Sequence, residues 1–252
     1  LGINISQVDR RQACDVVTKA AIDRTPLGVS ALATHGVMTG VQDWRHGERL
    51  NSLDVLTPDG QPVRWALNFL YGAELAERAY GPDLMRDVCN ELSSVGGRVF
   101  LFGSTRETLA QLASNLQEEY PGLQIVGCLP SRVRKGTREE FLEVLEKVKE
   151  RRPNVCFVGL GCPRQEIFIY EALPFIDCPF VAVGAAFDDE DEDEDPPRRD
   201  AAAPKKPWRA EADDSCWADA MSLSSRNETW GCSNPARPAV LLRVNHAWKR
   251  RR

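Results

Sequence analysis

Apolar positions along residues 1–187 follow two spacings, one typical of helices and one typical of buried strands. Residues 9–24 repeat apolar side chains one helical turn apart, which predicts an amphipathic helix. Residues 99–103 are instead continuously apolar apart from the closing glycine, as expected of a strand covered on both faces. Strands are predicted at 28–34, 54–57, 98–103, 123–128, 154–159 and 178–184.

Capping and turn signals mark the ends of the predicted helices. Ser104 with Glu107, and Thr137 with Glu140, match the pattern of a capping box, so we expect helices to open there. Helices are predicted at 9–24, 61–71, 82–95, 104–120, 137–152 and 163–172. Alternating strands and helices with short connections predict an α/β fold, an open, mostly parallel sheet with helices on both faces, Rossmann-like in class.

The composition changes abruptly after Phe187, which divides the 252 residues into two parts. Residues 1–187 form the predicted α/β domain. Residues 188–195 are all acidic, and 196–252 are rich in Pro, Ala and charge, with 12 basic against 6 acidic side chains. We expect 188–252 to be a tail of low order. The net charge of -5 averages over unlike segments and gives no reason to expect a nucleic-acid partner.

The eight cysteines include no C-x-x-C pair, and most of the first six lie in apolar runs. This pattern favours buried free thiols in a reducing cytoplasm over a disulfide framework or a zinc site. The acidic run contains D-x-D matches, but in a run of eight acids such a match is nearly automatic. No run reaches the ~18 apolar residues of a membrane-spanning helix.

Four predicted strands end in residues suited to binding. These ends lie at 33–36, 57–60, 102–105 and 159–166, and they contain Thr34, Asp59, Gly103, Ser104, Gly159 and Gly161. In an open parallel sheet, ligands bind beyond the carboxyl ends of the strands. Backbone N–H groups at the start of the following helices are placed to hold an anion there.

The strand end at 159–166 has the most distinctive residues for binding a ligand. Glycines at 159 and 161 let the backbone turn tightly against a ligand. Gln165 and Glu166 either face a bound sugar nucleotide, or Glu166 simply complements the dipole of the helix that starts there. Arg164 stands where the dinucleotide fingerprint needs its third glycine, which disfavours a nicotinamide-dependent oxidoreductase.

Asp59 and Arg78 each have two interpretations. Asp59 precedes Gly60, so it either makes an Asx turn or presents a carboxylate that accepts a proton from a hydroxyl. Arg78 is either a surface charge or a clamp whose planar fork pairs with two phosphate oxygens.

Together these segments resemble the WecG/TagA/CpsF family of bacterial glycosyltransferases. They occur in the family's order and spacing across about residues 28–188, and the matching stretches are Thr34, 54–60, 77–81, 100–103, 120–127, 158–166 and 183–188. Any one of them is a weak signal, whereas seven in order are specific.

The resemblance implies transfer of an N-acetylmannosamine-type sugar from a UDP donor to a polyprenyl-diphosphate-linked sugar, in the synthesis of teichoic acid or another cell-surface polysaccharide. It implies inversion without a metal or other cofactor. By resemblance Asp59 is the general base, Thr34 an active-site threonine, Arg78 the arginine near the donor, and Gln165 with Glu166 the donor-side pair. The chain would then work in the cytoplasm, peripherally at the inner face of the membrane, and a homo-oligomer is compatible with the family.

Two departures from the family pattern keep alternatives open. Gly36 stands where family members often have asparagine, and after Phe187 the acidic run replaces an amphipathic, arginine-containing segment that helps to complete the active site. A non-catalytic sugar-nucleotide-binding protein is therefore the first alternative, and the oxidoreductase is the second.

Overall fold

A computed structural model describes residues 2–131 and 137–187 of the chain. The predicted tail at 188–252, with its acidic run and D-x-D matches, lies outside these residues.

The described residues form six strands and eight α-helices, with one or two helices between most successive strands. The strands are β1 (Leu27–Leu32), β2 (Val55–Pro58), β3 (Arg98–Gly103), β4 (Gln124–Leu129), β5 (Val155–Gly159) and β6 (Pro179–Ala182). The α-helices are α1 (Arg10–Asp23), α2 (Thr34–Gln42), α3 (Trp44–Asn51), α4 (Gln61–Tyr71), α5 (Gly81–Ser93), α6 (Arg106–Glu119), α7 (Arg138–Arg151) and α8 (Arg164–Ala172). Two short 3-10 turns follow, at Leu173–Phe175 and Gly184–Phe187.

All neighbouring strands pair in parallel, in the order β2-β1-β6-β5-β3-β4. The last strand of the described chain, β6, therefore lies inside the sheet between β1 and β5. Parallel pairing puts the carboxyl ends of all six strands along one edge. The predicted fold class, a parallel sheet covered by helices, is confirmed.

Helices cover both faces of the sheet. On one face α1, α5 and α6 pack on alternate strand residues, which include Val29, Leu101 and Val181. On the other face Phe168 of α8 stacks between Phe102 and Phe180, with ring centroids 4.8 and 6.0 Å away. Burial on both sides explains why these strands are almost continuously apolar.

The capping predictions were right at one helix and displaced at another. Thr137 caps α7, since its side chain accepts a hydrogen bond from the backbone N–H of Glu140. At α6 the cap is Thr105, one residue later than predicted, and its hydroxyl accepts from the N–H of Thr108. Ser104 has a left-handed backbone (φ 51°), which a cap residue in extended conformation does not have.

The segment between β1 and β2 contains two helices, α2 and α3, where no helix was predicted. Glycines at 36, 40 and 47 lower the helical propensity of this segment. They are tolerated because helices pack closely there; a Cβ at Gly47 would lie 2.7 Å from the carbonyl oxygen of Gly40. The predicted strand at 28–34 was accordingly too long, because Thr34 already belongs to α2.

The cysteines of the described chain are free thiols. The prediction of burial is confirmed for Cys14, Cys89, Cys156 and Cys178, and it was wrong for Cys128, which is exposed on β4. Burial raises the pKa of Cys14 to about 11 and that of Cys178 to about 12. Within the described ranges no helix has both the length and the apolar character needed to cross a bilayer.

Alanine substitutions at Gly103 and Gly161 test how closely the ends of β3 and β5 approach each other. Gly103 has φ +129°, and a Cβ there would lie 2.2 Å from the carbonyl oxygen of Gly159, whereas Gly161 has φ +75° and no atom within 4 Å of a Cβ. We expect Gly103→Ala to lower the free energy of unfolding by about 3 kcal/mol or more, since backbone strain and a clash combine. Gly161→Ala should cost only about 1 kcal/mol, from strain alone. Urea unfolding of the full chain measures both, and equal losses would contradict the close approach.

Candidate functional site

The sheet order identifies one place where a ligand crevice is expected. From β3 the chain passes outward to the edge strand β4, whereas from β5 it passes in the opposite direction to β6. In open α/β sheets, ligands bind outside the carboxyl ends of the strands at the point where the connections diverge. In this fold that point lies between the ends of β3 and β5.

Glycines lie at the two strand ends where this crevice is expected. Gly103 and Gly159 are paired residues at the ends of β3 and β5, and the N–H of Ser104 donates to the carbonyl of Gly159 at 3.2 Å. A side chain at Gly103 would clash with the Gly159 carbonyl, and one at Gly159 would clash with the ring of Phe187. Close backbone approach therefore requires glycine at 103, and packing of the Phe187 ring requires it at 159.

The loop from β5 to α8 begins at this point and would form one wall of the crevice. Gly161 is exposed and adopts a left-handed backbone conformation, and the Cys162–Pro163 peptide bond is cis. Arg164 is partly buried and donates to the hydroxyl of Ser131, which follows β4. Burial lowers the pKa of the Arg164 guanidinium, and the nearby Glu140 carboxylate opposes that shift.

A second group of predicted residues meets at the ends of β1 and β2. Leu32 and Pro58 are paired there, so Thr34 and Asp59 follow adjacent strand ends. A Cβ on Gly60 would lie 3.4 Å from the backbone nitrogen of Thr34 and 3.5 Å from its hydroxyl oxygen. Thr34 is exposed and Asp59 is half-buried. The fold thus brings the predicted base next to the predicted threonine.

Arg78 lies on the segment that leads from this group towards the middle of the sheet. The N–H of Ala79 donates to the carbonyl of Pro58 at 3.0 Å, and a Cβ on Gly81 would lie 2.7 Å from the carbonyl oxygen of Val183, just beyond β6. The Arg78 guanidinium stacks 4.1 Å from the ring centroid of Tyr80. This stacking fixes a cation beside the ends of the central strands.

The predicted residues therefore form two groups along one edge. Thr34, Asp59 and Arg78 lie on the β1–β2 side, and the glycines with Ser104 and Arg164 lie on the β3–β5 side. Since β2 and β5 are three strand spacings apart, Asp59 and Gly159 are separated by about 14 Å across the sheet. A ligand that touches both groups must be elongated, with an anionic part over the glycines and its other end near Asp59.

Gln165 and Glu166 lie beneath this edge. Their exposed fractions are 2% and 0%, and α8 points both side chains into the layer between itself and β1. The carboxylate oxygen Oε1 of Glu166 accepts hydrogen bonds from the Ser30 hydroxyl and the Gln165 amide, both at 2.9 Å. The structure thus gives Glu166 a link to the sheet, and its predicted contact with a donor stays a prediction.

Burial is the main influence on the Glu166 carboxyl. It raises the pKa of Glu166 above its ordinary value, while hydrogen bonds from Gln165, Ser30 and Cys162 oppose the shift. Burial, with the nearby charge of Glu166, also raises the pKa of the Cys162 thiol.

Sequence reasoning did not single out Ser30, His46 or Cys162 as neighbours of Glu166. His46 is 1% exposed on α3, and atoms of His46, Cys162 and Glu166 lie within 4.8 Å of one another. A polar Ser30 inside the apolar run of β1 was the available signal, because a buried hydroxyl requires a partner.

Most of the chain matches a single protein family. The model of the glycosyl transferase WecG/TagA/CpsF family matches residues 1–190. Among curated proteins, N-acetylglucosaminyldiphosphoundecaprenol N-acetyl-beta-D-mannosaminyltransferase of Bacillus spizizenii W23 is 30% identical over 149 residues, 59% of this chain and 56% of the relative.

Proteins of the same name show similar matches. The one from Bacillus subtilis 168 is 26% identical over 162 residues, 64% of this chain and 60% of its own length. The one from Staphylococcus aureus NCTC 8325 is 32% identical over 126 residues, which is 48% of this chain and 46% of its own length. The chain thus spans roughly half to three-fifths of the length of these relatives.

The bond between Ser30 and Glu166 can be tested by mutation. Ser30→Ala should lower the free energy of unfolding by about 1–3 kcal/mol, because it removes a donor from a buried carboxyl. Ser52→Ala is the control, since the exposed Ser52 hydroxyl donates to a backbone carbonyl on the surface, and its cost should stay within about 0.5 kcal/mol. Urea unfolding compares the two; a Ser30→Ala loss no larger than the control would argue against the link.

Proposed function

The chain belongs to the WecG/TagA/CpsF family of glycosyl transferases, and from this premise we propose that it transfers an N-acetylmannosamine-type sugar from a UDP donor to a polyprenyl-diphosphate-linked acceptor. The observation that carries the proposal is the placement of Asp59 beside Thr34. From the strand order, this pair lies about 14 Å along the edge from Gly103 and Gly159. That layout suits an elongated sugar nucleotide whose sugar lies next to the Asp59 carboxylate.

The donor is proposed to lie along the carboxyl edge of the sheet. Its diphosphate would take backbone N–H groups at the start of α6 and in the loop at Gly161, since the Ser104 N–H already donates to the Gly159 carbonyl. The guanidinium groups of Arg78 and Arg164 are the cations nearest this path among the predicted residues. Donors and cations fixed in this way stabilise negative charge that develops on a leaving group.

Asp59 is proposed as the general base. It would accept the proton of the acceptor hydroxyl while that oxygen attacks the anomeric carbon, and the bond from that carbon to UDP would break on the opposite face. This displacement inverts the anomeric configuration and leaves UDP with the bonding electron pair. No step requires a metal ion. A base in this position contributes typically ~100- to 10,000-fold to the rate.

The exposed face of α4 supports a lipid-linked acceptor. The helix begins two residues after Asp59, and its exposed side chains include Trp65, Phe69, Leu70 and Tyr71, with Phe69 89% exposed. At 1.5 Å per residue, Phe69 lies roughly 12 Å along the helix from its start. An acceptor whose hydroxyl reaches Asp59 could then place its lipid along this face, at the inner surface of the membrane.

The relatives' length supports a second candidate, a protein that binds the sugar nucleotide without turning it over. The family match ends at residue 190, and the relatives extend well beyond their matched portions. If the part of the relatives outside the match completes catalysis, this chain would retain the donor crevice and lose turnover. Transfer assayed with UDP-N-acetylmannosamine, beside binding of UDP, separates the two functions.

The base role predicts a selective loss. Asp59→Asn should lower transfer by ~100- to 10,000-fold, since the amide cannot accept the proton, while the dissociation constant for UDP stays within about threefold. Rates with a lipid-linked acceptor and UDP titration by calorimetry measure the two quantities. Asp23→Asn, which changes an exposed carboxylate on α1 paired with Lys19, is the control. Normal turnover in Asp59→Asn would reject the base role.

The proposed lipid contact predicts a dependence on how the acceptor is presented. Trp65→Ser with Phe69→Ser should reduce transfer to an acceptor embedded in vesicles by roughly tenfold or more, because two exposed aromatic side chains leave the apolar face. Transfer to a short-chain, water-soluble acceptor should change little. Phe175→Ser is the matched control, since Phe175 is 51% exposed on a different turn. Equal effects on both acceptors would contradict the contact.

A further inference from the structure

A compact group of metal-binding side chains lies under the first turn of α8. His46 comes from α3, Cys162 from the loop after β5, and Glu166 from α8 itself. One ligand atom from each lies within 4.8 Å of the other two. His46 and Glu166 are buried, at 1% and 0% exposure, and Cys162 is partly buried.

Two buried oxygen atoms beside this group have no hydrogen-bond partner in the described chain. Ser30 and Gln165 both donate to the same oxygen of Glu166, Oε1. The second carboxylate oxygen, Oε2, and the amide oxygen of Gln165 are buried without a hydrogen-bond partner in the described chain. A buried acceptor without a donor costs about 1–3 kcal/mol, and a bound cation would offset that cost.

We propose that His46, Cys162 and Glu166 form a binding site for one zinc ion. Imidazole nitrogen, thiolate sulfur and carboxylate oxygen are the three ligand types that zinc takes in proteins, usually with a fourth position in a tetrahedral arrangement. A thiolate disfavours magnesium and calcium, which prefer oxygen ligands. On binding, the Cys162 thiol gives up its proton to solvent and coordinates as the thiolate.

The site would act on the loop rather than on the sugar. Cys162 follows Gly161 directly, so the ion would fasten the wall of the crevice to α3 on one side and to α8 on the other. The role is positioning, and zinc binding can be measured whether or not the chain transfers a sugar.

The test uses the full chain without an affinity tag, stripped of metal with a chelator. Zinc should bind with a stoichiometry of one to this site and raise the melting temperature. Cobalt in its place should produce a thiolate-to-cobalt charge-transfer absorption band. Cys162→Ala should abolish that band and weaken zinc binding by more than the ~10- to 100-fold that loss of an outer-shell partner costs.

Cysteines of residues 188–252 could also bind zinc, so the control is the double variant Cys216→Ala with Cys232→Ala. It should keep the cobalt band and the thermal shift. His46→Gln is a second ligand variant, which should also lose binding while UDP binding reports that the crevice is intact. The proposal is overturned if metal-free protein shows no shift with zinc, if Cys162→Ala retains the cobalt band, or if only the double variant loses it.

Discussion

The contact between the backbones of Gly103 and Gly159 is the constraint on which the rest of the site depends. The connections after β3 and β5 run in opposite directions, so their loops separate at this point and leave a crevice. A crevice is useful only if the two strand ends stay close enough to present their amides together. The Ser104 N–H bond to the Gly159 carbonyl and the glycine at each position hold them there. Thr34, Asp59 and Arg78 lie along the same edge of the sheet, so their positions relative to the crevice depend on this contact.

Behind the edge, Glu166 joins α8 to the sheet by hydrogen bonds within a largely apolar layer. Its carboxyl receives the Ser30 hydroxyl from β1 and the Gln165 amide from α8. Apolar packing tolerates small shifts between layers, whereas hydrogen bonds to a buried carboxyl specify one register because a missed partner is costly. The start of α8, and with it the glycine loop, is therefore positioned by a polar contact as well as by the packing of Phe168 on the sheet.

Much of this arrangement could be predicted from sequence, and the failures have physical causes. Five strands with apolar runs and the helices α1, α6 and α7 have strong periodic signals, so their positions were predicted within a few residues. Helices α2 and α3 were missed because their glycines mimic a loop until the packing around Gly40 and Gly47 is known. At the site, strand-end positions followed from parallel pairing alone. The partners of Glu166 did not, since Ser30 and Glu166 are 136 residues apart and no local pattern couples them.

The sheet order also governs how the chain can assemble. Strand β6 is the last strand of the described chain, yet β1 and β5 each pair with it and not with each other. Until residues 179–182 emerge from a ribosome, β2-β1 and β5-β3-β4 are two separate half-sheets, each with an apolar, unpaired border. Such borders invite wrong pairing in nascent chains. The sheet is therefore complete only when these four residues are present. A polypeptide that stops before them lacks the strand that joins the two half-sheets.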